Sequence, residues 1–144
     1  MKKIGLVIVL LLTVFTFFYY FKHPLGTRAT IHGHEFAIEL AVTPQEKSKG
    51  LGYRNSLPEN TGMLFPYDHK ERYQFWMKGM RFPLDIVWIL DNNIVDIAKN
   101  VPVSVNGYLP EYMPSVAVNK VLELNAGTMD EIGAKVGDIV KISN

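Results

Sequence analysis

From Leu84 to Leu90 the chain reads Leu-Asp-Ile-Val-Trp-Ile-Leu, apolar on both faces of an extended segment except at Asp85. Successive side chains of a strand point to opposite faces, so a strand of this composition is one covered from both sides. The run predicts the central strand of a sheet, and the rest of the chain has to supply its neighbours and its cover. Asp91-Asn92-Asn93 offers turn residues directly after it, and Ile94 to Ala98 returns as the second arm of a hairpin.

The other elements are short and heavily punctuated. Ala29 to Ile31 and Glu35 to Val42 read as strands around a His32-Gly33-His34 turn, with Phe36, Ile38 and Leu40 on one face of the second. Thr43-Pro44-Gln45-Glu46 has the pattern of a capped helix start, and Gly50 and Gly52 stop that helix after about two turns. Arg54 to Thr61 is a loop, Met63 to Phe65 a short buried strand ending at Pro66, and Tyr67 to Arg72 a solvated connection. Asn100 to Ser115, with Pro102, Gly107, Pro110 and Pro114, reads as one long irregular loop. Lys120 to Leu124 is a further strand, Thr128 to Glu131 a second capping box, and Ile139 to Ile142 the last strand. Many short strands, two small helices and no βαβ rhythm predict an α+β domain with a mainly antiparallel, curved, barrel-like sheet.

This domain is expected over residues 28–144, after a linker at 24–27. Ile4 to Phe21 is interrupted only by Gly5, Thr13 and Thr16, and as a helix it nearly matches a hydrocarbon core of about 30 Å. Aromatic rings and Lys22 follow at its end, as suits a membrane interface. Residues 1–23 therefore read as a transmembrane signal-anchor rather than a cleaved signal, since no small-residue cleavage site adjoins the run. With Lys2 and Lys3 ahead of the span, the expected location is the cell membrane, single-pass, with the domain on the extracytoplasmic side.

Setting aside Lys2, Lys3 and Lys22 leaves 12 basic against 14 acidic residues, so no nucleic-acid partner is expected. The chain has no cysteine, which excludes disulfides, thiolate metal sites and a cysteine nucleophile. Phosphate-loop, zinc and EF-hand patterns are absent, and no cofactor is expected.

The densest chemistry lies just ahead of the central strand, in Phe75-Trp76-Met77-Lys78-Gly79-Met80-Arg81-Phe82-Pro83-Leu84-Asp85. Phe75 and Trp76 are core aromatics or a stacking surface, and Lys78 and Arg81 beside them are suited to an anionic group. Asp85 either accepts loop N–H groups, pairs with Arg54, Lys78 or Arg81, or faces a ligand. Asp85 and Glu123 together are candidates for a hydrolytic carboxylate pair, which requires a separation of about 5–10 Å. Glu123 alternates with Leu122 and Leu124 and is equally explained by a solvated strand face. Met77 and Met80, with His32 and His34, are the candidate ligands for a soft metal such as Cu(I).

Six ordered motifs resemble the domain-of-unknown-function family 192: Glu39-Leu40-Ala41-x-Thr43-Pro44, Gly50-Leu51-x-x-Arg54, Gly62-Met63-Leu64-Phe65, Phe75-Trp76-Met77-Lys78, Pro83-Leu84-Asp85-Ile86 and Val121-Leu122-Glu123-Leu124-x-Ala126-Gly127. The resemblance runs from about Arg28 to Ile142. It implies a compact β-rich α+β domain, often exported or membrane-tethered, and no particular activity. Two positions depart from the pattern: Gly52 stands where the family usually has Met, and Gly79 where it usually has Asn.

The sequence thus predicts a membrane-tethered, non-catalytic module that binds an envelope saccharide or a small anion, leaning away from an enzyme. Its expected ligand-facing residues are Phe75, Trp76, Lys78, Arg81, Asp85 and Arg54, closed over by the loop Asn100 to Ser115. The alternatives are a hydrolase of an envelope polymer using Asp85 and Glu123, and a copper-binding protein.

Overall fold

The computed structural model describes residues 26–143, so the span expected at residues 4–21 lies outside the described residues. No helix among the described residues is long and apolar enough to cross a membrane. The elements follow as β1 (Arg28–Ile31), β2 (His34–Leu40), α1 (Pro44–Lys49), β3 (Thr61–Glu71), β4 (Phe75–Trp76), β5 (Leu84–Leu90), β6 (Asn93–Val101), β7 (Glu111–Tyr112), β8 (Val118–Asn125), α2 (Thr128–Glu131) and β9 (Lys141–Ser143).

One sheet has the order β6-β5-β8-β3-β2-β1-β9, with β2 and β3 parallel and every other pair antiparallel. It curls into a half-barrel. The segment just before β9 reaches the start of β6, with Ile94 N donating to Asp138 O at 2.9 Å, Gly137 N to Ile94 O at 2.8 Å and Val140 N to Asn92 O at 2.8 Å. These bonds use, within the domain, backbone groups at the start of the outer strand β6.

Local sequence explains much of this. His32 and Gly33 take φ 50° and 82°, the two left-handed residues that a tight β1–β2 hairpin requires. At α1, Thr43 Oγ1 accepts from Glu46 N at 3.2 Å while Glu46 Oε2 accepts from Thr43 N at 2.8 Å, the reciprocal capping expected from the sequence.

Three expectations need correction. β3 does not stop at Pro66 but continues to Glu71; pairing with β2 ends at Leu64 and the register with β8 shifts after Pro66, so the residue without an N–H falls where the ladder is already loosening. Residues 100–115 are not one irregular loop, because β6 runs to Val101 and β7 pairs with β4, Phe75 opposite Tyr112 and Trp76 opposite Glu111. Nor does Thr128 cap α2: Gly127, at φ 86°, is the N-cap and makes no side-chain cap bond, while Thr128 Oγ1 donates to Asn125 O at 2.7 Å.

The sheet separates two apolar clusters. Val87 and Ile89 of β5 and Leu122 and Leu124 of β8 join Ile31, Phe36 and Met129 on one face. On the opposite face, Leu84, Ile86 and Trp88 of β5 and Val121 of β8 join Leu51, Phe65, Phe75 and Met77. β5 therefore is the doubly covered strand predicted from its composition, and β8 between β5 and β3 is a second one.

Candidate functional site: a recess over Glu123

Glu123 sits in β8 opposite Ile86 of β5 and Met63 of β3, and so projects toward the cluster containing Phe65 and Phe75. It is only 5% exposed, and its Oε2 has no hydrogen-bond partner. Burial pushes its pKa up to about 8, against the opposing pull of the Arg54 guanidinium. Desolvation wins because Arg54 is itself held in a bidentate pair with Glu39, at 2.6 and 2.8 Å. At neutral pH, Glu123 is accordingly a neutral acid with an O–H to donate.

Above this acid lies a recess of about 190 Å³. The end of α1 forms one wall: Gly50, at φ 49°, terminates the helix, and a Cβ there would stand 3.7 Å from Glu123 Oε2. Capping at Thr43 and the stop at Gly50 fix the last helical turn, which carries Lys47 and Lys49 to the recess. Lys47 Nζ lies 4.1 Å from the centre of the Tyr67 ring, a cation–π contact, and Tyr67 in turn stacks on Tyr73 at 3.4 Å. Burial first, then Tyr73 and Glu123, hold the Tyr67 hydroxyl above its usual range, so it stays a protonated phenol. Phe65 and Phe75 meet edge to face at 5.0 Å below.

Trp76 alternates with buried Phe75 along β4 and is 45% exposed at the rim. Lys78 follows it. Among the described residues, neither Lys49 nor Lys78 makes an ion pair. A second, wider groove of about 510 Å³ adjoins the recess, sharing Ser48, Lys49, Trp76 and Lys78 with it and adding Pro44, Gln45 and Tyr53.

Of the residues expected from the sequence, Phe75, Trp76 and Lys78 line the recess together. Arg54 acts on its acid through charge, and Arg81 is turned away to Asn55 Oδ1. Asp85 lies on the other face of the sheet, where Oδ1 accepts from Asn100 N at 2.8 Å and Gly127 N at 3.2 Å, and Oδ2 accepts from Met129 N at 2.8 Å. The expected Asp85–Glu123 pair is thereby corrected: the two carboxyls project from opposite faces of the sheet and cannot flank one scissile bond.

The expected lid also needs correction, since no residue from 100 to 115 lines the recess; that segment is pinned beside it by the β4–β7 pair and by Arg72 Nε donating to Pro114 O at 2.7 Å. Nor are the soft-metal candidates gathered at one point. Met77 is buried and Met80 lines the recess, whereas His32 presents Nε2 to Asp138 at 2.8 Å and Nδ1 to Ile132 O at 3.1 Å. Both ring nitrogens of His32 thus face oxygen atoms of the fold rather than Met77 or Met80. His34 is exposed at the start of β2.

Lys47, Ser48, Lys49, Tyr67 and Gln74 are polar lining residues that sequence reasoning missed, Tyr67 because it reads there as part of a solvated connection. The two family departures meet at this mouth: a Cβ on Gly52 would lie 3.2 Å from Lys78 O, and one on Gly79 would lie 2.9 Å from the Tyr53 ring. In this chain the Tyr53 ring occupies space that a side chain at position 79 would need.

A crystal structure of a protein from Sinorhizobium meliloti 1021, described as a "putative transcription regulator", is similar with a TM-score of 0.71 and 32% identity, covering 81% of this chain and 91% of that one. A protein of unknown function from Novosphingobium aromaticivorans DSM 12444 is similar at a TM-score of 0.71 and 32% identity, covering 83% and 89%. No match is found among the curated proteins. The family model DUF192, Uncharacterized ACR, matches residues 27–142.

Proposed function

The chain belongs to the DUF192 family, and from that premise we propose that it is a non-catalytic binding module whose recess over Glu123 takes an oxyanion-bearing ligand. The observation that carries this reading is the buried, unpartnered Oε2 of Glu123 at the base of a recess rimmed by Lys49 and Lys78. An acid left without a partner in an apolar setting costs free energy, and a ligand oxygen that accepts its proton recovers it. The lysines supply attraction for a carboxylate or phosphate, and the neutral floor does not repel one.

Binding is favoured over catalysis because, among the described residues, Glu123 is the only carboxylate lining the recess, so the two-carboxylate hydrolytic set is not assembled there. The transcription regulation named for the Sinorhizobium protein is not carried over, since 12 basic against 14 acidic residues after Lys22 leave little excess to neutralise a phosphate backbone. Residues 4–21 would tether the module to the membrane and place the recess on the extracytoplasmic side. Protease added to intact spheroplasts should then degrade the domain, and a fully protected domain would reverse that topology.

The test of the recess is an amide NMR titration of the full chain in detergent with acetate and with inorganic phosphate. Saturable shifts centred on Lys49, Gly50 and Lys78, weakened in Lys49→Gln/Lys78→Gln, are expected. Shifts absent there, or scattered over all exposed lysines, would remove the reading.

A further inference from the structure

The recess and the neighbouring groove differ in size in a way that constrains the whole ligand. At about 190 Å³ the recess falls below the roughly 300–1,000 Å³ usual for small-molecule sites, so it accommodates a substituent rather than a complete ligand. The adjoining groove, at about 510 Å³, is within that range. Four residues are common to both, so a ligand larger than the recess whose acidic group enters it continues past Lys49, Lys78 and Trp76 into the groove.

The character of the groove narrows the choice further. Trp76 is 45% and Tyr53 62% exposed, two flat rings on one short cleft, with the amide of Gln45 and the hydroxyl of Ser48 beside them. Tyr53 holds φ 67°, a left-handed backbone that its side chain disfavours, and its N donates to Gly79 O at 2.8 Å. The same contact lays its ring over Gly79. Rings flanked by polar side chains suit a ligand with C–H faces and hydroxyl edges better than an aliphatic chain, which would leave the amide and hydroxyl unpaired.

We infer that the composite site binds an acidic pyranose, its carboxylate or phosphate lodged against Glu123 between Lys49 and Lys78 and its ring against Trp76 and Tyr53. This rests on the oxyanion reading above and adds the sugar. Glu123 donates its proton to one ligand oxygen, the lysines face the others, and the ring stacks in the groove.

The experiment is isothermal titration of the full chain in detergent with D-glucuronate, glucose 1-phosphate, methyl glucoside, acetate and inorganic phosphate. At least one sugar acid should bind about threefold to tenfold more tightly than its simple anion, the gain expected of one stacked ring, and more tightly than methyl glucoside. Whether glucuronate or glucose 1-phosphate shows the gain identifies the acidic group. Trp76→Ala should abolish the gain, bringing the ratio of sugar-acid to simple-anion affinity to about one, and Trp76→Phe should restore most of it. Sugar acids that bind no better than acetate or phosphate would overturn this inference and leave the oxyanion reading standing. A gain that survives Trp76→Ala would overturn it too, and absence of binding by all five probes would remove both.

Discussion

Asp85 and Glu123 are separated by one step of register on neighbouring strands: Asp85 stands opposite Leu124, and Ile86 stands opposite Glu123. Because successive residues of a strand alternate in direction, that single step sends one carboxyl to each face of the sheet. The two acids consequently have different fates. Asp85 is saturated by three backbone N–H groups, whereas Glu123 keeps an oxygen without a partner and looks into a recess.

Asp85 is expected to be structural. Asp85→Ala would leave the N–H groups of Asn100, Gly127 and Met129 without their acceptor, and the loss should be about 3–5 kcal/mol by urea unfolding. Oxyanion binding by the remaining folded fraction should be unchanged. A loss under about 1 kcal/mol would contradict the assignment.

Glu123 should impose a pH dependence on stability. Its folded-state pKa of about 8 lies above the ordinary 4.5, so between those values the folded protein keeps a proton that the unfolded chain has released. Stability relative to Glu123→Gln should therefore be highest below pH 4.5, fall as pH rises toward 8 and then level off. Parallel stability curves for the two proteins across that interval would show that the acid is not held neutral.

How far the sequence discloses this architecture depends on the range of the interaction. The His32-Gly33 turn and the Thr43–Glu46 capping box are set by neighbours in the chain, and both are legible there. The double cover of β5 is legible from its composition. The partners of Asp85 are not, because they come from residues 100, 127 and 129. The two-residue pair β4–β7 leaves no periodic signal for the same reason. For Glu123 the sequence leaves a site residue and a solvated strand face open, and sheet order decides between them: β8 lies between β5 and β3, and both its faces are covered. Phe75, Trp76 and Lys78 were found from density of chemistry alone, while Lys47 and Lys49 required knowing where α1 ends.

Gly62 should be intolerant of even a methyl group. A Cβ there would lie 2.7 Å from the backbone oxygen of Glu123 and 2.7 Å from Leu124 Cδ2, and the backbone atom cannot step aside within a paired strand. Gly62→Ala should cost about 1–3 kcal/mol by denaturant unfolding, and a neutral effect would mean that the β3–β8 contact is looser than described.

Arg54 opposes the rise in the Glu123 pKa, so Arg54→Met should move the midpoint of that carboxyl further upward. The carboxyl carbon shift followed by NMR reports this directly. An unchanged midpoint would separate the two groups electrostatically.

The same carboxyl signal in the unsubstituted full chain gives the most direct test of the account, because everything proposed for the recess depends on a neutral, buried Glu123 that a ligand can reach. With ¹³C-labelled glutamate, its titration midpoint should lie near 8, and adding phosphate or glucose 1-phosphate at pH 7 should move the resonance. A midpoint near the ordinary 4.5, with a resonance indifferent to both anions, would contradict it.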